Sequence, residues 1–405
     1  MEYITRHIVK SLERFASSFP VVLVTGPRQV GKTTLLKHWN PDLAYITFDD
    51  PMELLSAKND ARTFMMMHVP PVIFDEIQYA SELFSYIKIQ VDDRNETGMY
   101  YLAGSQQFNM MQHVSESLAG RIGILHMLGL SIRERNADVF DEPFLPSLEY
   151  LQKRNPAKQT SIQDLWQMIY DGGFPSVVTG RTLAEDYYRS YVKTYIERDV
   201  RALTQIGDEL QFLQFISVIA SRTGQQLNYR DIARDTGISE PTVKKWLSVL
   251  VATGLVYLLR PYSTNVEKRV VKTPKVYFLD TGLAIWLTKW PTPETVAQGA
   301  MAGAFFETFV ISEIYKSWIN AGKEPPIYYY RDKDQKEIDL LLEVGGTLYP
   351  IEIKKTATPK KSDISAFSML KRTHGRDIGS GAVVCPCDKL GILDTNVFTV
   401  PVFYI

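Results

Sequence analysis

Cysteine is nearly absent from this sequence of 405 residues, since only Cys385 and Cys387 occur. Two cysteines exclude a disulfide framework, and no neighbouring His or Cys completes a zinc site, so we expect both to be packing residues. No apolar run approaches the roughly 18 residues of a membrane span, and the N-terminus mixes charges of both signs without an apolar core. We therefore expect a cytoplasmic protein without a membrane partner.

Net charge is also nearly absent. Lys and Arg total 45 against 46 for Asp and Glu, so no global electrostatic field attracts nucleic acid or a membrane. Any such binding must come from a local patch. The length, by contrast, is sufficient for roughly two to three domains of about 150 residues, each with its own core.

The stretch GPRQVGKTT fits the pattern G-x-x-x-x-G-K-[ST] between an apolar strand pattern that starts at Val21 and a helical pattern without breakers. Glycines let the backbone wrap a phosphate, and a helix N-terminus favours negative charge. Lys32 would contact the terminal phosphates of a nucleotide, and Thr33 would bind Mg²⁺ through its hydroxyl. The predicted binding loop consists of Gly26, Pro27, Arg28, Gln29, Val30, Gly31, Lys32, Thr33 and Thr34.

Two further strand patterns end in polar residues. PPVIFDEIQ places Asp75 and Glu76 after a buried strand, where Asp75 would hold Mg²⁺, directly or through water, and Glu76 would orient and deprotonate the attacking water. The alternative is a polar strand end that caps the next helix. In MYYLAGSQQF, Ser105 or Gln106 would lie between Mg²⁺ and the γ-phosphate.

Arg121, just before another strand pattern, has two interpretations. It is either a cation that stabilises transition-state charge, within the subunit or in a neighbour's site, or a solvated strand start. Action in a neighbour's site would require a ring or a dimer, so a homo-oligomer stays open. The strand patterns begin at Val21, Ala44, Pro71, Met99 and Ile122. Helical patterns between them predict a doubly wound parallel sheet.

Residues 20–130 resemble an ASCE-type ATPase of the AAA superfamily, with the strands, the Walker A and Walker B motifs and the polar sensor in order. The stretches IYDGGFPSVV, YVKTYIERDV and KTPKVYFLDTGLA resemble a bacterial and archaeal group of predicted ATPases, in which an AAA-type domain is fused to a C-terminal domain of unknown function. The similarity covers nearly the whole chain. It implies binding and hydrolysis of ATP with Mg²⁺, and it does not define the cellular task.

A helix-turn-helix pattern follows in LNYRDIARDTGISEPTVKKWLSVLVATGLVYLL, with Gly237 in the turn and Ser239 and Pro241 at the start of the second helix. A hairpin pattern after it would make a winged helix. Residues 222–275 carry ten Lys or Arg against four Asp or Glu. Contacts to DNA phosphates are expected from Lys244, Lys245, Lys268, Arg269 and Lys272. The alternative is a lid or protein-contact module.

The tail contains YYYRDKDQKEIDLLLEVGGTLYPIEIKKTATP, in which a Gly-Gly turn predicts a hairpin of strands 337–344 and 347–354. Alternation puts Glu352 and Lys354 on one face, with Asp339 on the neighbouring strand. These residues resemble the PD-(D/E)xK phosphodiesterase core, and Glu307 matches the extra helical acid of many members. The resemblance implies Mg²⁺ ligands at Glu307, Asp339 and Glu352, with Lys354 acting on a bound water. Cleavage by this site stays open.

The sequence thus predicts an α/β chain with four parts. These are an AAA-type P-loop ATPase domain (1–135), a helical lid or linker (136–221), a winged helix-turn-helix (222–290) and a small nuclease-like α/β domain (291–405). The leading interpretation is an ATPase whose nucleotide state controls a C-terminal module that binds, and in one version cleaves, DNA. The rival is an ATP-dependent signalling or scaffolding switch, whose winged helix binds protein and whose tail is inactive.

Overall fold

The computed structural model describes residues 3–105, 114, 116–156, 158–196, 209–263, 273–332, 334–373 and 376–405. The strands are β1 Val21–Gly26, β2 Ala44–Thr47, β3 Val72–Asp75, β4 Tyr100–Ser105, β5 Ile122–His126, β6 Val256–Leu259, β7 Lys275–Phe278, β8 Ile327–Arg331, β9 Glu337–Val344, β10 Thr347–Ile353, β11 Asp377–Ile378, β12 Gly381–Cys385, β13 Gly391–Asp394 and β14 Val397–Pro401.

The α-helices within the same ranges alternate with the strands in the N-terminal part and dominate the middle of the chain. They are α1 Val9–Ser18, α2 Lys32–Trp39, α3 Pro51–Asn59, α4 Ala61–Met67, α5 Leu83–Arg94, α6 Ile132–Arg135, α7 Leu148–Lys153, α8 Ile162–Asp171, α9 Pro175–Val178, α10 Ala184–Tyr191, α11 Glu209–Ala220, α12 Tyr229–Thr236, α13 Glu240–Ala252, α14 Thr281–Leu287, α15 Pro293–Gln298, α16 Ala302–Asn320 and α17 Phe367–Thr373. A π-helical turn, Val192–Ile196, continues α10.

The N-terminal sheet has the strand order β2-β3-β4-β1-β5, and all its pairings are parallel. Every residue of β1 is buried. Val22 and Val24 enter one apolar core and Val21 and Leu23 the other, because alternate side chains point to opposite faces and helices cover both. The predicted parallel α/β sheet is therefore confirmed, and the carboxyl ends of β1, β3 and β4 meet at one edge.

A second sheet forms the tail, where the strand order within the described residues is β13-β14-β12-β10-β9-β8, with β11 added beside β10. The turn between β9 and β10 needs left-handed backbone at Gly345 and Gly346, with φ of +58° and +82°, which glycine adopts without strain. Phe309 of α16 and Ile351 of β10 belong to the same apolar cluster as Val22 of β1. The tail and the N-terminal α/β part consequently share one continuous core.

Between the two sheets, α12 and α13 lie at the positions of the predicted helix-turn-helix. Asn228 caps α12, Ser239 caps α13, and Gly237 takes the left-handed conformation in the turn. The strands β6 and β7 then pair in antiparallel fashion. Lys268, Arg269 and Lys272 lie outside the described residues, so the assignment of these elements to a winged helix stays a prediction.

None of the helices described has the length and apolar character needed to cross a membrane. Both cysteines are free thiols, with Cys385 buried at the end of β12.

Candidate functional site

At two positions in the loop between β1 and α2, the backbone has a conformation that favours glycine. Gly26 has φ +147°, and a side chain there would meet the carbonyl oxygen of Met127 at 2.0 Å; Gly31 has φ +98°. Gln29 between them also takes a positive φ, +61°. The chain thus turns back over the N-terminus of α2, where helix amides favour an anion.

Lys32, the first residue of α2, is only 6% exposed. Its ammonium donates hydrogen bonds to the carbonyl oxygens of Gly26 at 3.1 Å and Pro27 at 2.8 Å. The side chain is therefore folded along the inside of the loop, with its charge at the place where a bound phosphate would lie.

Thr33 and Asp75 are brought together from different elements, α2 and the end of β3. The Thr33 hydroxyl donates to Oδ2 of Asp75 at 2.7 Å, and the Tyr45 hydroxyl donates to the same oxygen at 2.7 Å. Burial, assisted by the Asp75 carboxylate, raises the pKa of Tyr45, which therefore remains a donor at neutral pH. A hydroxyl and a carboxylate, completed by phosphate oxygens and water, fit Mg²⁺, which needs few protein ligands.

Glu76 follows in a left-handed conformation, φ +54°, which is uncommon outside glycine and clusters at functional sites. The side-chain amide of Gln78 donates to its Oε2. Burial raises the pKa of Glu76 above its usual range, while the Gln78 hydrogen bond and the Lys32 charge oppose the rise. A carboxylate with a raised pKa is a stronger base at neutral pH.

Ser105 ends β4 directly beside the loop, since β1 and β4 pair Gly26 with Ser105 in register. Its hydroxyl is buried and has no hydrogen-bond partner in the described part of the chain. A buried polar atom without a partner is costly, which suits a ligand at this edge of the sheet. Gln106, the other sensor candidate, lies outside the described residues.

The loop opens into a cavity of about 670 Å³. Its lining includes Arg28, Gln29, Val30, Gly31, Lys32, Thr33, Thr34 and Glu76. Two more walls are formed by residues without a sequence motif, Tyr3, Ile4 and Arg6 at the N-terminus and Pro175, Ser176, Thr179 and Arg181 around α9. Sequence reasoning missed Arg6 and Arg181, although the quoted IYDGGFPSVV stretch contains Pro175 and Ser176 and ends shortly before Arg181.

Two of the stretches that carry the family resemblance meet behind this wall. Asp280 accepts hydrogen bonds from the amide of Gly173 at 2.6 Å and from the hydroxyl of Tyr188 at 2.7 Å. The carbonyl of Gly173 accepts in turn from the amide of Leu130 at 2.6 Å. These contacts fix the start of α9 against the segment that follows β5, and thereby position one wall of the cavity.

The structure does not bring Arg121 to this cavity. Arg121 precedes β5, whose first residue pairs with Val21 at the start of β1, whereas the loop follows the end of β1. Its guanidinium forms an ion pair with Asp92 through two nitrogens. Arg121 is therefore at the opposite edge of the sheet from the loop of its own chain, which favours the interpretation as a solvated strand start over action within the subunit.

A second group of charged side chains lies in the tail. Asp339 accepts from the amide of Ile353 at 2.8 Å, and the Lys354 ammonium lies 2.7 Å from Oε1 of Glu352 and 3.9 Å from Oδ2 of Asp339. The other carboxylate oxygen of Glu352 is buried and has no partner among the residues described. Asp339, Glu352 and Lys354 thus converge as the sequence predicts.

Glu307 does not complete this group as the expected third metal ligand. It accepts a hydrogen bond from the Tyr277 hydroxyl and lies 3.4 Å from the ammonium of Lys275, which also pairs with Glu337. Nowhere in the described ranges do three or more His, Cys, Asp or Glu side chains form a group that could hold a metal ion. The Lys275 ammonium supplies positive charge beside Glu307, so the described side chains around Glu307 do not fit a metal ion.

The burial of Glu352 predicts an unusual dependence of stability on pH. Burial and the neighbouring Asp339 charge raise the pKa of Glu352 to about 8 from 4.5. The folded protein then binds more protons than the unfolded chain between these values, so stability falls as the pH rises from about 4.5 to 8. Glu352→Gln removes this loss of stability. In EDTA, the melting temperature of the variant should therefore exceed that of the parent, and the difference should grow to several degrees as the pH rises from about 4.5 to 8.

Exposed Glu96 provides the matched control. Glu96→Gln should leave the difference from the parent constant across the same pH range. A Glu352→Gln protein whose melting temperature follows the parent in parallel would contradict the assigned burial effect.

The basic residues around α12 and α13 are partly neutralised. Arg222, Arg230 and Arg234 form ion pairs with neighbouring acids, and Lys275 is buried in the tail cluster. Lys244 and Lys245 are exposed on α13. Arg260, after β6, is exposed as well, so a phosphate-binding surface in the described part of this region would include Lys244, Lys245 and Arg260.

Comparison with known proteins divides the chain into three parts. Residues 18–136 match the AAA domain family, residues 162–294 match a domain of unknown function (DUF8612), and residues 302–404 match another domain of unknown function (DUF4143). Together with the parallel sheet and the glycine loop, the first match supports an AAA-type P-loop domain in the N-terminal part. The second match spans both the predicted helical linker and the predicted helix-turn-helix.

Two mycobacterial proteins are similar to this chain over nearly its whole length. The uncharacterized proteins Rv2008c of Mycobacterium tuberculosis and Mb2031c of Mycobacterium bovis are each 28% identical over 410 residues, covering 98% of this chain and 83% of theirs. Among solved structures, the Walker-type ATPase PABY2304 of Pyrococcus abyssi is 14% identical, with 69% of this chain and 94% of that chain covered and a TM-score of 0.43. A likeness this distant supports no statement about function.

Proposed function

We propose that this protein binds Mg²⁺ and ATP at the Gly26–Thr34 loop and hydrolyses the γ-phosphate bond, and that its nucleotide state controls the C-terminal part of the chain. The hydrogen bond between Thr33 and Asp75, one residue before a half-buried Glu76, is the observation that carries the proposal. It supports the proposal because a hydroxyl and a carboxylate that could both hold Mg²⁺ meet beside the residue that we propose as the general base, at the edge of the sheet where the loop lies.

Each residue has a defined task in this proposal. Lys32 neutralises the terminal phosphates, Thr33 and Asp75 hold Mg²⁺, and Glu76 takes a proton from the attacking water. Bound Mg²⁺ would supply charge neutralisation on the phosphate oxygens. Ser105 would donate its hydroxyl to the nucleotide or to a water. Arg181 adds positive charge on the facing wall.

Contacts between the ATPase part and the tail support nucleotide control. Glu313 of α16 accepts from the amide of Ile132 at 2.7 Å, and Lys316 of the same helix donates to the carbonyl of Leu130 at 3.2 Å. Leu130 itself lines the nucleotide cavity. Closure of the cavity around ATP would therefore move or strain the segment that contains Leu130 and Ile132, which is hydrogen-bonded to α16 of the tail.

DNA is the ligand that we propose for the C-terminal part. Exposed Lys244 and Lys245 on α13 favour it, as does the convergence of Asp339, Glu352 and Lys354 on neighbouring strands. The strand order also supports a nuclease-like core, because helix α16 precedes the antiparallel β8, β9 and β10, and β12 joins β10 in parallel. Cleavage is the second candidate function. A protein-binding switch with an inactive tail is the alternative.

Lys244→Ala with Lys245→Ala is expected to weaken DNA binding with little dependence on sequence. Loss of two phosphate contacts should reduce the slope of log K against log salt by about 2. A mobility-shift titration at several salt concentrations, with and without ATP, measures this slope. A Lys58→Ala, Lys88→Ala double variant, which removes exposed charges from the ATPase part, should bind like the parent.

The same samples test cleavage when plasmid and Mg²⁺ are present. Nicking by the parent that disappears in Asp339→Ala, but persists in a variant of exposed Asp388, would support the nuclease candidate. A salt-independent shift, or none at all, together with intact plasmid would contradict DNA as the ligand and favour the protein-binding switch.

A further inference from the structure

We propose that Arg6 is a positioning residue for nucleotide binding, so that the segment before α1 forms part of the ATP site. Arg6 precedes the residues that match the AAA domain family, which begin at residue 18. It belongs to no motif in the sequence. The inference rests on the proposed ATP binding at the loop.

The Arg6 side chain is buried, at 4% exposure, and its guanidinium spans three separate elements. Nη1 donates to the carbonyl of Val30 in the loop at 2.8 Å, and Nη2 donates to the carbonyl of Leu128 after β5 at 2.7 Å. Nε donates to Oε1 of Glu134 at 3.0 Å. Because its three donors belong to one rigid planar group, the Arg6 guanidinium holds the loop against the segment after β5.

The Val30 contact determines the direction of an amide that would bind phosphate. The carbonyl of Val30 and the N–H of Gly31 belong to one planar trans peptide unit and point in opposite directions. Because Arg6 holds that carbonyl, the Gly31 N–H is directed away from Arg6. Gly31 lines the nucleotide cavity and has the φ of +98° that the loop requires. Arg6 thus orders the anion-binding backbone before a nucleotide arrives.

Glu134 holds the guanidinium in place. It is fully buried, and it also accepts hydrogen bonds from the amides of His7 at 2.9 Å and Ser131 at 2.8 Å. Although burial raises the pKa of Glu134, the Arg6 charge and the two amides outweigh this effect and keep it below the usual range, so it stays ionised. Glu134 therefore fixes the orientation of the Arg6 guanidinium through Nε, while Nη1 contacts Val30.

Arg6→Lys tests the proposal, because an ammonium keeps the charge beside Glu134 but cannot serve three fixed acceptors in one plane. The affinities for ATP and for ADP should both fall about tenfold, a change of ~1.4 kcal/mol. Equal loss is expected because a misdirected loop affects a phosphate that both nucleotides carry. KM for ATP should rise by a similar factor, while kcat at saturation should stay within about threefold.

Arg14→Lys on the exposed face of α1 is the matched control and should behave like the parent. A variant with Arg6→Met and Glu134→Gln, which leaves no unpaired buried charge, guards against loss of folding; it should also bind ATP and ADP equally weakly.

A selective loss of ATP affinity would overturn the proposal, since it indicates direct contact with the γ-phosphate. Unchanged affinities for ATP and ADP in Arg6→Lys would also overturn the proposal. A parent protein that binds neither nucleotide would instead refute the proposed function.

Discussion

Replacing Glu76 by Gln is expected to lower the rate of ATP hydrolysis by about a hundredfold or more while ATP binding persists. The amide has the shape of the carboxylate but cannot take a proton from water. The hydrogen bonds from Lys32 to the loop and from Thr33 to Asp75 do not involve the Glu76 carboxylate, so the phosphate and Mg²⁺ positions should remain. Steady-state phosphate release measures the rate, and titration with a fluorescent ATP analogue measures binding.

Glu82 offers a control six residues away, exposed just before α5. Glu82→Gln should hydrolyse ATP at the parent rate. If Glu76→Gln also did so, Glu76 would not be the general base. If instead it lost both hydrolysis and binding, its role would be structural, as a polar residue that ends β3.

Lys32→Ala is expected to abolish most of the ATP affinity. A hydrogen bond to a charged group is worth about 1.5–3 kcal/mol, which corresponds to a Kd roughly 10- to 150-fold higher when one is lost. The protein should remain folded, because the hydrogen bonds from Lys32 to the carbonyls of Gly26 and Pro27 lie within the loop itself. The shift in melting temperature caused by saturating Mg²⁺ and ATP is a convenient measurement.

Exposed Lys58 at the end of α3 provides the control for this loss of charge. Lys58→Ala should retain the full ATP-dependent shift. An equal shift in Lys32→Ala and in the parent would place the nucleotide elsewhere than the Gly26–Thr34 loop.

Local patterns were sufficient to predict the ATPase sheet and the order of its polar strand ends. The β-branched run at Val21 and the glycine spacing in the loop are short-range signals, and parallel strands necessarily bring Ser105 and Asp75 to one edge. The Gly345-Gly346 turn similarly fixed the pairing of β9 with β10, and hence the meeting of Asp339 with Glu352.

Long-range contacts could not be predicted in the same way. Arg6 reaches Glu134 across 128 positions of sequence, and Arg181 enters the cavity from a segment without periodic or motif signals. Glu307 matched a helical acid by sequence, but the position of Lys275 beside it depends on how β7 packs against α16. Arg121 was ambiguous because its residue type and its place before a strand fit both an active-site cation and a surface ion pair.

Isothermal titration calorimetry of the purified protein with ATP and Mg²⁺ tests the central claim most directly. Saturable heat with one site per chain, lost in Lys32→Ala and retained in Glu76→Gln, is the result that we expect. Absence of heat in the parent, at protein concentrations well above a micromolar Kd, would contradict nucleotide binding at the loop, and with it the proposed ATPase.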